Sequence, residues 1–215
     1  MLHLEYFAHA CFLLHLGGRK VLIDPYSPQI GYKWPERPAD LVLVSHEHED
    51  HNYVAGVSGR TQVLRGCAAR QLGELRIRGV LAHHGGSSLP LTLFCLRHAQ
   101  GPGICHLADL GQPLDAEQLA EIGACEVLLV PVGGAFTLDA AGALEVIRQL
   151  RPKVVIPMHY RTPFLCRQRF PSLECSQRFL REAGRDYVVE KPREGVLRLD
   201  RLPETTTVYP LPHLY

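Results

Sequence analysis

The chain has 215 residues, room for one large domain or two small ones and too few for a multidomain assembly. Its 23 Lys and Arg nearly balance 22 Asp and Glu, and a net charge of +1 argues against a broad nucleic-acid-binding face. With 46% hydrophobic residues it falls outside the disordered class, and its 12 histidines stand out, since imidazole is both the commonest metal ligand and a group that titrates near neutrality.

The first 20 residues are largely apolar, but Glu5, His3, His9 and His15 interrupt them and no basic leader precedes them, so they do not read as a signal peptide. No run reaches the 18 or so apolar residues that a spanning helix needs. Seven cysteines, an odd number without a CxxC pair, favour neither a disulfide framework nor a Cys-rich zinc site, and a reduced cytoplasmic setting is expected.

Residues 4–8, 10–16 and 20–24 read as short strands, with Gly17 and Gly18 supplying a hairpin turn between the second and third. A Pro-rich loop follows over residues 25–38, carrying Tyr26, Tyr32 and Trp34, the last two as either a pocket wall or core anchors. LVLV, residues 41–44, has the continuous apolar character of a strand buried on both faces. Residues 61–65 and 76–84 look like strands, with a short helical piece expected over 67–75. Residues 91–97 and 103–108 look like paired strands.

Strands then alternate with helices. Asp115 opens a helix over 115–123, residues 126–132 form a buried strand, and Asp139 caps a helix over 139–150. A buried strand at 153–159 precedes a helix over 172–184 that closes at Gly184, and the tail returns to strands at 186–190, 196–200 and 206–211. Strands first, then strand–helix alternation with helices enough to cover two sheets, predict a layered α/β sandwich in one domain, 1–215.

The chemistry concentrates in SHEHEDH, residues 45–51, directly after the buried LVLV strand. His46 and His48 are two apart and project to one side of extended backbone, while Asp50 and His51 follow where the chain can turn. Three imidazoles and a carboxylate in six residues suit a borderline-soft divalent ion such as zinc, and strand ends are where α/β sites form.

This segment resembles the His-x-His-x-Asp-His signature of the metallo-β-lactamase superfamily. PVGGAFTLDA (131–140) and VVIPMHYRTP (154–163) are similar, more narrowly, to metal-dependent hydrolases that include the L-ascorbate-6-phosphate lactonases. The resemblance spans essentially the whole chain and implies a four-layer αββα sandwich with two metal ions at one edge of the sheets. It further implies that His46, His48 and a histidine of the HHGG segment bind one ion; relatives place the ligand directly before the Gly, which favours His84 over His83. Asp50, His51 and His159 are then implied for the second ion, with Asp109 bridging the two. Ala108 stands where the family carries Gly before that aspartate. His9 matches a family position near the metals and is either a pocket or ligand-supporting group or a satisfied core histidine; His106 is expected to be structural.

Two such ions, roughly 3.5–4 Å apart, share a water and lower its pKa, so that a metal-bound hydroxide attacks an acyl or phosphoryl centre. Asp50 is the catalytic candidate, as ligand and as orienter of the attacking group. Phe136 and Tyr160 are substrate-contact candidates, His83 is a pocket or ligand-supporting candidate like His9, and Arg161, where many relatives carry Gly, could hold an anionic substrate bidentately. Zinc is the expected metal, with manganese or iron as alternatives. The expected activity is hydrolysis of a small ester, lactone or phosphoester. A phosphodiesterase or nuclease, or a non-catalytic metal-binding protein on the same fold, are the competing readings. No nucleic-acid or membrane partner is expected, and a homo-oligomer is allowed by analogy with lactonase-like relatives.

Overall fold

The computed structural model describes residues 1–67, 69–85 and 89–214. Among the described residues fourteen strands fall into two sheets. The first contains β1 (Leu2–Ala8), β2 (Cys11–Leu16), β3 (Arg19–Ile23), β4 (Leu41–Val44), β5 (Gln62–Arg65) and β13 (Val196–Leu199), in the order β13-β1-β2-β3-β4-β5. The second contains β6 (Arg70–Leu72), β7 (Leu75–His83), β8 (Pro90–His98), β9 (Gly103–His106), β10 (Val127–Pro131), β11 (Val154–Met158), β12 (Val188–Val189) and β14 (Thr207–Val208). Its order is β12-β14-β11-β10-β9-β8-β7-β6.

The alternation of each strand builds the layers. In β1, Leu2, Leu4 and Tyr6 point to one side and meet Phe94, Val127 and Ile156 of the second sheet in a shared core. The outer face of the second sheet buries Val80, Leu128 and Val155 beneath α1 (Ala116–Ile122), α2 (Ala140–Leu150) and α3 (Gln177–Ala183). Asp115 opens α1 with a capping box shared with Gln118, and the Asp139 carboxylate accepts from Gly142 N–H to open α2, satisfying backbone donors that a helix start leaves free.

The layered α/β sandwich stands as the sequence indicates, with one difference in its outermost layer. The outer face of the first sheet is covered by the 3-10 turns Pro28–Ile30 and Val54–Gly56 and by the loop bearing Tyr26, Tyr32 and Trp34, while all three α-helices lie against the second sheet. Tyr26 and Tyr32 are core anchors there, and Trp34 donates its indole N–H to Gly56 O at 2.7 Å. The hairpin at Gly17 and Gly18 forms with positive φ at both residues, as a type I′ turn needs.

Two predicted helices change. The piece expected over 67–75 is the strand β6, pairing antiparallel with β7 about a turn at Gly73, whose φ is +64°; Ala68 lies outside the described residues. Three apolar residues at helical spacing there serve equally well in a short hairpin, and the glycine decides it. The last helix begins at Gln177 rather than near residue 172, because Leu173 and Glu174 run past the end of β10, where Glu174 N–H donates to Gly133 O. Among the described residues no helix is long and apolar enough to cross a membrane.

Candidate metal centre

At one end of the sandwich, strands of both sheets finish together. β3 ends into Asp24, β4 into Ser45 and His46, β7 into His84, β9 into Asp109 and β11 into His159, while His9 sits in the β1–β2 turn. Parallel pairing of β3 with β4, and of β10 with both β9 and β11, puts these ends side by side. Four residues at this end, His9, Asp24, Ala108 and His159, adopt positive φ between 45° and 56°. For residues with a Cβ that region is costly, and such strain persists where surrounding contacts over-determine it. Here His159 N–H donates to His9 O at 2.8 Å, and the Tyr6 hydroxyl donates to the same oxygen.

The ligand-type side chains gather in two sets. His46, His48 and His84 bring one nitrogen each to within 4.8 Å of one another. His9, Asp50, His51 and His159 do the same with four donors, all buried. Asp109 lies between the sets: its Oδ2 is 3.2 Å from His84 Nε2 and 3.3 Å from His159 Nε2, and its Oδ1 is 3.3 Å from His51 Nε2. His84 therefore faces the cluster, whereas His83 is exposed on the edge of β7, as alternation along the strand requires.

These donors look inward without partners. His51 Nε2, Asp109 Oδ1 and His159 Nε2 are buried and make no hydrogen bond, although polar atoms normally find one when buried. Orphaned nitrogens and oxygens converging from several strands fit a cationic occupant and little else. The charges respond to one another. Burial alone would lower the pKa of His51, yet the Asp109 and Asp50 carboxylates beside it raise it well above the ordinary histidine value. Asp109 is raised by burial but driven well below the carboxylate range by His159 and His51. Burial and the neighbouring His159 press His9 down to about 4, and burial with His51 presses His46 down to about 3.

Behind these rings lies a group that the motif does not reveal. Asp24, fully buried, accepts from Ser45 N–H at 2.8 Å and from the Ser45 hydroxyl at 2.7 Å, and its Oδ2 is 3.0 Å from His51 Nδ1. Ser45 Oγ lies 2.9 Å from His46 Nδ1. One carboxylate thus fixes the ring plane of His51 and, through Ser45, that of His46. The available signal is an acid ending the apolar strand KVLI, the same strand-end position that marks His46. His106 is structural as expected, its Nε2 2.8 Å from Ala10 O and its Nδ1 accepting from Ala108 N–H.

A model of the beta-lactamase superfamily domain matches residues 3–159. The chain belongs to the metallo-β-lactamase superfamily. A UPF0173 metal-dependent hydrolase from Carboxydothermus hydrogenoformans is 30% identical over 191 residues, covering 74% of this chain and 84% of the relative. One from Thermoplasma acidophilum is 30% identical over 202 residues, covering 77% and 87%. The crystal structure of a candidate Zn-dependent hydrolase of the superfamily from Thermotoga maritima superposes with a TM-score of 0.81 at 33% identity, over 98% of both chains. Similarity of this extent makes the present chain a metal-dependent hydrolase of the superfamily.

In this hydrolase a cleft of about 220 Å³ opens over the two donor sets, lined by His48, Asp50, His84, Asp109, Phe136, His159 and Phe170. Phe136 is 46% exposed, with its ring 6.2 Å from that of His84, and Phe170 lies 5.2 Å from His9. Phe170 sits in a polar, Arg-rich stretch without periodicity, which gave no reason to single it out. Two substrate candidates stand elsewhere. The Tyr160 hydroxyl turns toward the tail and donates to Leu211 O, away from the cleft. Arg161 is exposed, its backbone N–H held by Glu174 O, and it is absent from the cleft lining. Tyr160 directly follows His159 and faces the opposite way from it, while Arg161, exposed, lies one residue further along.

Proposed function

We propose that this hydrolase holds two divalent ions and uses them to cleave a small carboxylic ester or lactone. His46, His48 and His84 would hold one ion, Asp50, His51 and His159 the other, and the Asp109 carboxylate both. The observation that carries the reading is the placement of Asp109, with one oxygen within 3.3 Å of a nitrogen from each set and the other oxygen within 3.3 Å of His51. Imidazole-rich ligation favours zinc, with manganese or iron as alternatives that the carboxylates would accept. Bound there, the ions would supply Lewis acidity, polarising the scissile carbonyl and bringing a shared water toward neutral pKa.

The side chains do the rest. His9 Nε2 lies 2.9 Å from Asp50 Oδ2, which fixes the carboxylate and leaves Asp50 placed to orient the attacking water. Asp24 and Ser45 keep His51 and His46 in the ring orientations that ligation needs. Phe136 and Phe170 wall the cleft and would offer apolar surface to the substrate. No lysine or arginine lines the cleft among the described residues, so the reading favours an uncharged acyl substrate with an apolar face over a phosphoester. The likeness to ascorbate-6-phosphate lactonases then bears on the bond broken and not on the phosphate. The test is a hydrolysis panel of esters, lactones, phosphodiesters and thioesters with zinc- and manganese-loaded protein, metal content measured alongside, and Asp109→Asn as control. Turnover confined to phosphodiesters, or turnover unchanged in the control, would overturn the reading.

A further inference from the structure

A second group of metal-ligand side chains lies outside the cleft, on the outer face of the first sheet. β1 alternates, so Leu2, Leu4 and Tyr6 enter the core while His3 and Glu5 share the opposite face. The antiparallel register that pairs Leu4 with Leu14 sets His15 of β2 across from His3. The two imidazoles stack with centroids 3.8 Å apart and planes 7° from parallel, and His15 Nε2 lies 2.8 Å from Glu5 Oε1. One ligand atom from each of the three residues falls within 4.8 Å of the others. His3 Nε2 is buried and makes no hydrogen bond. Burial, with the charges of His15 and Arg198, lowers the pKa of His3, which keeps its lone pair free at neutral pH.

We propose that His3, Glu5 and His15 form an accessory site for a single divalent cation of the zinc class, clipping β1 to β2. Two neutral imidazoles and one carboxylate match the donor preference of such ions, and neighbouring strands hold the three side chains on one face; since a ring nitrogen binds in its ring plane, the stacked His3 and His15 rings would turn out of parallel to converge on one ion. An ion there would explain why a buried imidazole nitrogen stands unpartnered beside a carboxylate that already has one histidine. Charges oppose it as well: Arg198 lies across from His3 on β13 and Lys20 across from His15 on β3. The site is therefore expected to bind more weakly than the main centre, and removing Arg198 should strengthen it.

The experiment is calorimetric titration of Zn²⁺ into the full chain whose main centre has first been filled and the excess removed. The expected result is one further equivalent per chain, lost in His15→Ala, weakened in Glu5→Gln and tightened in Arg198→Gln, with hydrolytic turnover unaltered in all three. Uptake of no further equivalent by the parent chain would overturn the proposal. So would equal uptake by the parent and His15→Ala, which would place the ion at the terminal amine and His3 alone. If His15→Ala does not fold, the Glu5→Gln and Arg198→Gln shifts decide, and unchanged affinity in both overturns it. The main centre is counted separately by metal analysis of the filled protein before titration, so failure there is distinguishable from failure here.

Discussion

His51 presents Nδ1 to the Asp24 carboxylate at 3.0 Å and thereby turns Nε2 toward Asp50 and Asp109. The pair sits wholly inside the protein, and the same carboxylate holds Ser45 by two hydrogen bonds. Replacing Asp24 by Asn keeps the volume and one acceptor but removes the charge that the His51 N–H faces. Carboxylates that orient metal-bound histidines are typically worth about 10–100-fold in affinity. Asp24→Asn is therefore expected to weaken metal binding by about that factor while the chain remains folded. Chelator competition reads the affinity and circular dichroism reads the fold; a folded variant with parental affinity would show that Asp24 merely satisfies a buried serine.

The neighbouring histidines of the HHGG segment provide a paired comparison one residue apart. His84 Nε2 reaches Asp109 Oδ2, whereas His83 is exposed on the strand edge. His84→Ala should lower metal content by up to one ion per chain and reduce turnover by at least about 100-fold, the range seen when a group acting in the transition state is lost. His83→Ala should change neither. Metal analysis of the two purified variants settles the assignment, and equal content in both would remove His84 from the ligand set.

Much of this architecture was legible because strands and helix starts carry local signals. The capping aspartates of α1 and α2 and the buried runs of β4, β10 and β11 all stand where the residues indicate. SHEHEDH pointed to one half of the cluster because its spacing is local. What escaped depends on distant partners. Asp24 is an ordinary strand-end acid until folding brings Ser45 and His51 to it, and Phe170 gains meaning only from its contact with His9. The positive φ of His9, Ala108 and His159 has no sequence signature, since none is glycine; tertiary contacts impose it. The hairpin of β6 was missed because short apolar spacings fit either a turn of helix or a brief strand.

Gly133 shows how closely the backbone must pass the cluster. A Cβ there would lie 2.2 Å from His159 O and 2.8 Å from Leu173 Cδ1. The leucine could shift, but the carbonyl belongs to a residue already fixed by positive φ and by the His9 hydrogen bond. Gly133→Ala should cost about 1–3 kcal/mol, the usual range for overpacking, and displace His159 enough to deplete one ion. Thermal unfolding and metal analysis together check this; a stable variant with full metal content would mean that β10 and β11 slide apart without moving the histidine.

The cleft walls separate binding from chemistry. Phe136 contributes an exposed ring beside His84 but no polar atom, so Phe136→Ala should raise KM for apolar esters roughly tenfold and leave kcat nearly unchanged, the pattern of lost uniform binding. Arg161→Ala should alter neither constant on anionic or neutral substrates, because the side chain stands outside the lining. Steady-state kinetics on matched anionic and neutral esters tests both. Selective loss on the anionic ester in Arg161→Ala would return that residue to the site.

Removing metal should expose a distinct pH dependence of stability. His9, lowered by burial and by His159, titrates at about 4 in the folded chain, and His46, lowered by burial and by His51, at about 3. Unfolded histidine titrates near 6.5, so between pH 6.5 and 4 the unfolded chain takes up protons that the folded chain refuses. The stabilising contribution of each ring is full above 6.5 and is lost as pH falls; for His9 alone the loss is roughly 3 kcal/mol at 1.36 kcal/mol per unit. His51 has the opposite sign. Its raised value gives stability that is full below 6.5 and declines as pH rises through the folded value, so it leaves the acid window unchanged. Asp24, Asp50 and Asp109, all lowered, surrender their contributions only below the unfolded carboxylate value near 3.9. The metal-stripped protein should therefore be most stable near pH 6.5, with a urea midpoint that falls steeply toward pH 4 and a shallower fall in His9→Gln. A midpoint that held or rose between pH 6.5 and 4 would mean that these two imidazoles are protonated in the folded chain and that the cluster relaxes around them when the ions leave.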